Sequence, residues 1–191
     1  MMARPSTTPR LATLDPASVA EHVVQLVLQH IARLEFVLSP GDIGMRAPAP
    51  SDSFSTLRLT VTDLVTYAKV GELGDWTEPD GPRDAIQEIC SALYGCAGQP
   101  GTFGVGAIEE SVSDAALEDA IGVALVGAWA RAKLAERGAK LTARELGVLA
   151  GMDAQNVRLL ARKGELTLED GALGRAEARR WLSGRGVPGV R

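Results

Sequence analysis

The strongest constraint on the fold of this chain is a pair of short apolar helix patterns near its C-terminal end, separated by only a few residues. Leu146 and Ala150 fall on one face of the first helix, and Val157 and Leu160 repeat at helical spacing on the second. Gly151 lies between the two patterns, where glycine can adopt a positive φ at a sharp turn. The sequence therefore predicts two short helices that pack against each other across a tight turn.

Both helices have a clear start. The Thr142 hydroxyl can accept the N–H of Glu145 while the Glu145 carboxylate reaches back to the Thr142 amide, a capping box that starts the first helix at Ala143. Asp153 is placed to cap the second helix, and Met152 before it is expected to be a buried plug. Two helices joined by a three-residue turn that opens with glycine form a helix-turn-helix arrangement.

The outward face of the second helix has side chains suited to reading DNA. Gln and Asn pair with adenine through two hydrogen bonds, and Arg does the same with guanine, which fits Gln155, Asn156 and Arg158. Gln155 and Asn156 lie in the first turn, where recognition residues usually touch base edges. Arg162 and Lys163 at the far end are better placed for phosphates. These residues predict a DNA-binding face.

The residues after this pair predict a wing and a closing helix. Residues 165–168 alternate in the manner of a short strand, and Asp170 with Gly171 is a typical tight hairpin turn. A last helix over residues 176–182 is expected to bury Ala178, Trp181 and Leu182. Together these elements predict a small winged module.

At this point the stretch from Leu141 to Leu182 resembles the winged helix-turn-helix of the MerR and excisionase-like families, through its LAGM turn, its RKGEL segment and its AEARRWL closing helix. The resemblance covers about fifty of the 191 residues. It implies that four residues of the second helix contact DNA, namely Gln155, Asn156, Arg158 and Arg162. It also implies that Thr142 and Arg144, at the start of the first helix, lie near the phosphate backbone.

The sequence departs from these families in two places. Gly147 stands where a small alanine is commoner, which is expected to loosen the first helix slightly. The wing is acidic, with Glu165, Glu169 and Asp170, where the families usually place basic or aromatic side chains against phosphate. A phosphate contact by the wing is therefore not expected.

Helices are also predicted for the remainder of the chain, because hydrophobic residues make up 46% of the full sequence and aromatics only 4%, so Leu, Val, Ile and Ala must build the core. We predict a mainly α protein: a disordered leader over residues 1–14, an acidic helical body over 15–112, a connecting or dimerisation helix over 113–138, and the winged helix-turn-helix over 139–191. The C-terminal module and the rest of the chain differ in the sign of their net charge. Residues 140–191 have net charge +4, which leaves −8 on the rest and favours a nucleic-acid contact confined to the end of the chain.

Within the body, Asp15 and Pro16 are expected to start a helix that ends before Pro40. Residues 41–55 are predicted as a loop. Strand and helix patterns then compete from Leu57 onward, with helix favoured, and a connection over residues 71–80 leads to another helix over 82–94. The five glycines between residues 95 and 106 lack the flanking strand, helix and lysine of a phosphate-binding loop, so a linker is predicted.

The helix of residues 113–138 is expected to start at a cap formed by Ser113 or Asp114 and to have a broad apolar stripe. Gly122 and Gly127 inside it allow close approach of another helix. That partner can belong to the same body or to a second copy of the chain, and the sequence does not choose between them.

No residue pattern predicts an enzyme, a metal site or a cofactor. His22 and His30 lie on one helix without ligand partners, and Cys90 and Cys96 have neither redox nor metal-knuckle spacing. We find no secretory signal and no apolar run of the roughly twenty residues that a membrane span needs. A cytoplasmic protein without membrane contact is therefore expected.

Two functions remain open at this stage. The first is a sequence-specific DNA-binding protein, a transcriptional regulator that binds double-stranded DNA as a homodimer because one module covers only a few base pairs. The alternative is an adaptor or antitoxin-like protein whose helical body binds a protein partner. A weaker third idea is a small apolar ligand in a helical cavity of the body.

Overall fold

The computed structural model describes residues 9–38, 54–73, 76, 81–94 and 117–190, and these residues are mainly helical, as predicted. Seven α-helices and one two-stranded sheet lie within this part of the chain. The helices are α1 (Pro16–Leu38), α2 (Ser55–Val70), α3 (Gly81–Tyr94), α4 (Ala120–Ala135), α5 (Ala143–Ala150), α6 (Ala154–Arg162) and α7 (Arg175–Gly184), and the strands are β1 (Lys140–Thr142) and β2 (Ala172–Gly174). None of these helices is long and apolar enough to cross a bilayer.

The first three helices follow the local signals in the sequence. The Ser18 N–H donates to the Asp15 carboxylate at 3.0 Å, which starts α1 at Pro16, and hydrogen bonds from Ser18 lower the pKa of Asp15. Helix wins over strand in α2, and Gly71 ends it with a φ of 76°. The predicted linker at residues 95–106 lies outside the described residues, as does the predicted loop at 41–55 apart from residues 54 and 55 at the start of α2.

The end of the predicted leader is ordered, which corrects the prediction of disorder for residues 9–14. A 3-10 helix spans Leu11–Thr13, and Leu11 and Leu14 are both buried. The Lys69 ammonium of α2 donates to the Leu14 carbonyl at 2.6 Å. Two leucines in an otherwise polar stretch are enough to dock it on the core because each buries a large apolar side chain.

Helix α4 is surrounded by the rest of the chain, so its burial is wider than the predicted stripe. Every residue from Ile121 to Ala132 is buried, and the helix begins at Ala120 with the Asp119 carboxylate accepting the Ile121 N–H. The predicted caps at residues 113 and 114 lie outside the described residues. A Cβ on Gly127 would lie 2.9 Å from Leu11 Cδ2, so the close partner belongs to the same chain. The alternative of a dimerisation helix does not fit a helix that is already covered.

One hydrophobic core contains residues of all seven helices. Hydrogen bonds also connect α4 to α2 and to the C-terminal part of the described chain. The buried Arg131 guanidinium donates to the carbonyls of Ala68 at 3.1 Å and Lys69 at 2.9 Å, at the end of α2, and to that of Pro188 at 2.6 Å. The Arg175 side chain donates to the Leu134 carbonyl at 2.7 Å. The predicted boundary near residue 138 therefore does not separate two cores.

The sheet lies at the start of α5 and differs from the predicted hairpin. β1 and β2 are antiparallel, and the fully buried Leu141 and Leu173 face each other in the register. The turn at Asp170 and Gly171 is confirmed, with φ values of 52° and 80°. The predicted strand at residues 165–168 is wrong, because only Glu169 forms a bridge to Ala172 and the partner of β2 is the segment before α5.

Candidate nucleic-acid interface

Helix α5 is held firmly at its start. The capping box is confirmed: the Thr142 N–H donates to Glu145 Oε2 at 2.6 Å, and the Glu145 N–H donates to Thr142 Oγ1 at 3.3 Å. Lys133 of α4 donates to Glu145 Oε1 at 3.0 Å, with both side chains largely buried. The Glu145 carboxylate therefore caps the N-terminus of α5 and also joins α5 to α4.

The turn after α5 packs directly on the helix backbone at Gly147. Gly151 has a φ of 67°, as expected for this turn, and the Met152 N–H donates to the Gly147 carbonyl at 2.9 Å. A Cβ on Gly147 would lie 2.6 Å from the Met152 carbonyl oxygen. Gly147 therefore permits the turn to close, rather than only loosening α5 as the sequence suggested. Met152 is half-buried against the core, so the predicted plug is partial.

Helix α6 packs Val157 and Leu160 inward, as predicted. Val157 is fully buried and Leu160 is half-buried. Asp153 lies at the N-cap position, and its backbone carbonyl accepts the N–H groups of Asn156 at 3.0 Å and Val157 at 3.2 Å. Its side chain makes no capping hydrogen bond, in contrast to the prediction. Val157 is the only buried residue in α6, so most of its surface faces solvent.

The side chains predicted to read DNA share this exposed surface. Five of them lie on α6 or directly after it, and all are exposed: Gln155, Asn156, Arg158, Arg162 and Lys163. No hydrogen bond or ion pair joins these five side chains to the part of the chain that the structure describes. Leu159 lies among them with 41% of its surface exposed. The face therefore combines amides, cations and one apolar side chain, all available to a partner.

The other two predicted residues lie elsewhere. Thr142 is the last residue of β1, and its hydroxyl already accepts the Glu145 N–H. Arg144 lies in the first turn of α5 and is half-buried. Both are at the start of α5 and neither belongs to the exposed face of α6.

The segment predicted as the wing is acidic and exposed. Glu165, Glu169 and Asp170 all face solvent, and Lys140 of β1 donates to Glu169 at 3.3 Å. Since both partners of this ion pair are exposed, it contributes little to stability. Cations on α6 and carboxylates on the segment that follows it give the two neighbouring surfaces opposite charge.

A groove of about 400 Å³ runs along the turn and the first residues of α6. Its lining includes the buried Leu11 and Val123, and its polar residues are Arg10, Glu118, Asp153 and Asn156. Arg10 lies in the predicted leader, so sequence reasoning gave it no role. The signal that could have placed it is the spacing of Leu11 and Leu14 immediately before the start of α1.

Cys90, His22 and His30 are the cysteine and histidine side chains among the described residues. Burial raises the pKa of the Cys90 thiol to about 11, so it stays protonated and unreactive at neutral pH. His22 is exposed and His30 is half-buried on α1. No group of three or more His, Cys, Asp or Glu residues within the described ranges is arranged to hold a metal ion. Cys96 lies outside those ranges.

Comparison of the chain with protein-family models, with curated proteins and with solved structures finds no match in any of the three. The candidate site consists of α5, the turn and α6. Their geometry gives a well-fixed helix, a close turn and a second helix whose polar face is open.

Proposed function

We propose that residues 139–190 form a winged helix-turn-helix and that the protein is a sequence-specific regulator of transcription that binds double-stranded DNA through α6. One observation carries the proposal: Val157 is fully buried while Gln155 and Arg158 on the same helix are exposed. A nine-residue helix with one apolar anchor and an amide and a guanidinium on its open side fits the major groove, which admits an α-helix.

Each exposed side chain has a role that follows from its chemistry and its place on α6. Gln155 and Asn156 in the first turn reach base edges and pair with adenine. Arg158, one turn further on, donates two hydrogen bonds to guanine. Leu159 is placed to contact a thymine methyl group, an apolar feature of the same groove. Arg162 and Lys163 at the end of α6 bind phosphates and fix the register on the duplex.

The support beneath α6 makes this face suitable for recognition. The turn is in contact with the α5 backbone at Gly147, and α5 is fixed to α4 through Lys133 and Glu145. A reading helix on a rigid base loses little conformational freedom when it binds, so more of the contact energy appears as affinity. The acidic segment after α6 repels phosphate and stays away from the backbone in this proposal.

Homodimer formation is part of the proposal because a single module reads only a few base pairs. Two copies related by a two-fold axis would read half-sites about 34 Å apart, one turn of the duplex. The dimer surface lies outside α4, whose residues from Ile121 to Ala132 are covered by the chain itself. Sedimentation at increasing protein concentration, with and without a palindromic duplex, measures this assembly. A complex with one copy per duplex would contradict it.

The test is fluorescence anisotropy on DNA fragments selected from a random pool, across a salt series. Arg158→Ala is expected to weaken binding by about 1 to 3 kcal/mol and to relax sequence preference. Arg162→Ala is expected to weaken all sequences alike and to reduce the salt slope by about 0.9, the value of one phosphate contact. Arg180→Ala, an exposed arginine of α7, is the matched control and should bind as wild type.

Two results would contradict the proposal. The first is absence of binding to any duplex at about 50 mM salt, where phosphate contacts are strongest. The second is equal binding by wild type and Arg158→Ala on every sequence, which would remove α6 as the reading helix. Circular dichroism of each variant establishes that a loss of binding is not a loss of fold.

A further inference from the structure

The ordered end of the N-terminal segment lies beside the proposed reading helix. Arg10 and Asn156 line the same groove, from the N-terminal segment and from the first turn of α6 respectively. Arg10 is exposed, whereas Leu11 directly after it is buried against α4 at Gly127. The chain therefore enters the fold next to the residues that would touch base edges.

The charge of this segment differs from that of the body that follows it. Residues 1–14 contain Arg4 and Arg10 and no acidic residue, and Asp15 is the first carboxylate in the chain. The first 139 residues together have a net charge of −8, so a basic stretch at their start is a local exception. Positive charge beside a DNA-reading helix is complementary to the phosphate backbone.

We propose that Arg10 forms a second DNA contact, in which its guanidinium binds a backbone phosphate beside the base pairs read by the first turn of α6. The inference rests on the proposed function and adds a residue outside the helix pair to the DNA-binding surface. It is an interaction with the phosphate backbone, so it adds affinity and orientation and does not read bases.

The anchoring of the segment makes the contact effective. Leu11 and Leu14 are buried, and Lys69 donates to the Leu14 carbonyl at 2.6 Å, so the backbone next to Arg10 is already in place. The Thr13 N–H donates to the Arg10 carbonyl at 2.9 Å, which fixes the residue itself. A preordered cation pays less entropy on binding than one at the end of a free chain.

Two carboxylates also line the groove and set where a phosphate can lie. Glu118 and Asp153 are exposed there, and both carboxylates repel an anion that enters the groove. We therefore expect Arg10 to bind the phosphate outside the groove. Removal of the Glu118 charge is expected to strengthen DNA binding, whereas removal of the Arg10 charge is expected to weaken it.

The experiment measures affinity and salt slope for three variants of the full chain on one selected duplex. Arg10→Ala is expected to weaken binding about five- to tenfold near 0.1 M salt and to reduce the slope by about 0.9, as for the loss of one phosphate contact. Glu118→Gln is expected to bind two- to threefold more tightly, a rough figure for one screened like charge. Arg180→Ala should match wild type.

The outcomes separate this inference from the function on which it rests. Failure of the wild-type chain to bind DNA would overturn both. Wild-type binding that Arg158→Ala weakens but Arg10→Ala leaves unchanged would overturn the N-terminal contact alone. Equal losses for Arg10→Ala and Arg180→Ala would also overturn it, because they would report overall charge and not a placed phosphate contact.

Discussion

Helices α5 and α6 are neighbours of almost equal length, yet the protein uses them in opposite ways. Six of the eight residues of α5 are buried, against one of the nine residues of α6. The cap of α5 is complete, with Thr142 and Glu145 bonded to each other's backbone, whereas the Asp153 side chain at the start of α6 makes no capping bond. One helix is part of the core, and the other is attached to it.

The difference shows how a short exposed helix can be maintained. Isolated helices shorter than about twelve residues are marginal in water, so α6 depends on its contact with α5 through Val157 and Leu160. The stability of the pair is concentrated in α5 and the turn. The outward residues of α6 are then free to vary for binding with little effect on folding.

The largest expected contrast is between a leucine of each helix. Leu146→Ala removes a fully buried side chain of α5 and is expected to lower the free energy of unfolding by about 2 to 5 kcal/mol. Leu159→Ala removes an exposed side chain of α6 and should change it by no more than about 0.5 kcal/mol. Urea titrations measure both. Equal losses would show that α6 contributes to the core as much as α5.

The second contrast tests the close approach at the turn. Gly147→Ala places a methyl group against the Met152 carbonyl and is expected to cost about 1 to 3 kcal/mol of unfolding free energy. Gly184→Ala is the control, because nothing lies within 4 Å of its Cβ position and it is the last residue of α7, where alanine suits the helical backbone. Thermal unfolding of the two variants gives the comparison. A Gly147→Ala protein as stable as wild type would mean that the turn does not rest on α5.

The third contrast is between the two N-caps. Thr142→Ala breaks the capping box and is expected to cost about 1 kcal/mol. Asp153→Ala removes a carboxylate that makes no capping bond, so a change of at most a few tenths of a kcal/mol is expected. Chemical denaturation resolves this difference. A larger loss of unfolding free energy for Asp153→Ala than for Thr142→Ala would contradict the expectation that the N-cap of α5 contributes more stability than that of α6.

The smallest effect is in the pH dependence of stability. Hydrogen bonds from Ser18 lower the folded pKa of Asp15 below 3.8, so the stability they give is present above pH 3.8 and is lost as the pH falls through the lower folded pKa. Asp15→Asn should therefore flatten the stability profile below pH 4 relative to wild type. Denaturation midpoints between pH 5 and about pH 2 make the comparison. Identical profiles for wild type and Asp15→Asn would contradict it.

The sequence predicted the elements whose signals are local. The capping box at Thr142, the glycine turn at Gly151 and the inward position of Val157 each depend on residues within one turn of chain, and each is confirmed. The exposed residues of α6 followed from that inward position. The starts of α1 and α7 were similarly close to their predicted places.

The features that sequence reasoning missed depend on distant contacts. β1 exists because Leu141 pairs with Leu173 more than thirty residues away, which no periodicity reveals. The burial of α4 on all sides follows from the helices packed around it, and the place of Arg10 follows from the docking of Leu11 at Gly127. The role of Gly147 became clear only from the position of the Met152 carbonyl.

We propose that α6 presents the DNA-binding face while α5 holds α6 in place. Amide NMR spectra recorded during titration with a selected duplex test this claim most directly, because they report on both helices in one measurement. We predict the largest shift changes at residues 154–163, with smaller ones near Arg10 and none in the buried residues Leu146–Leu149 of α5. Changes confined to α1 and α2, with α6 unaffected, would contradict the account.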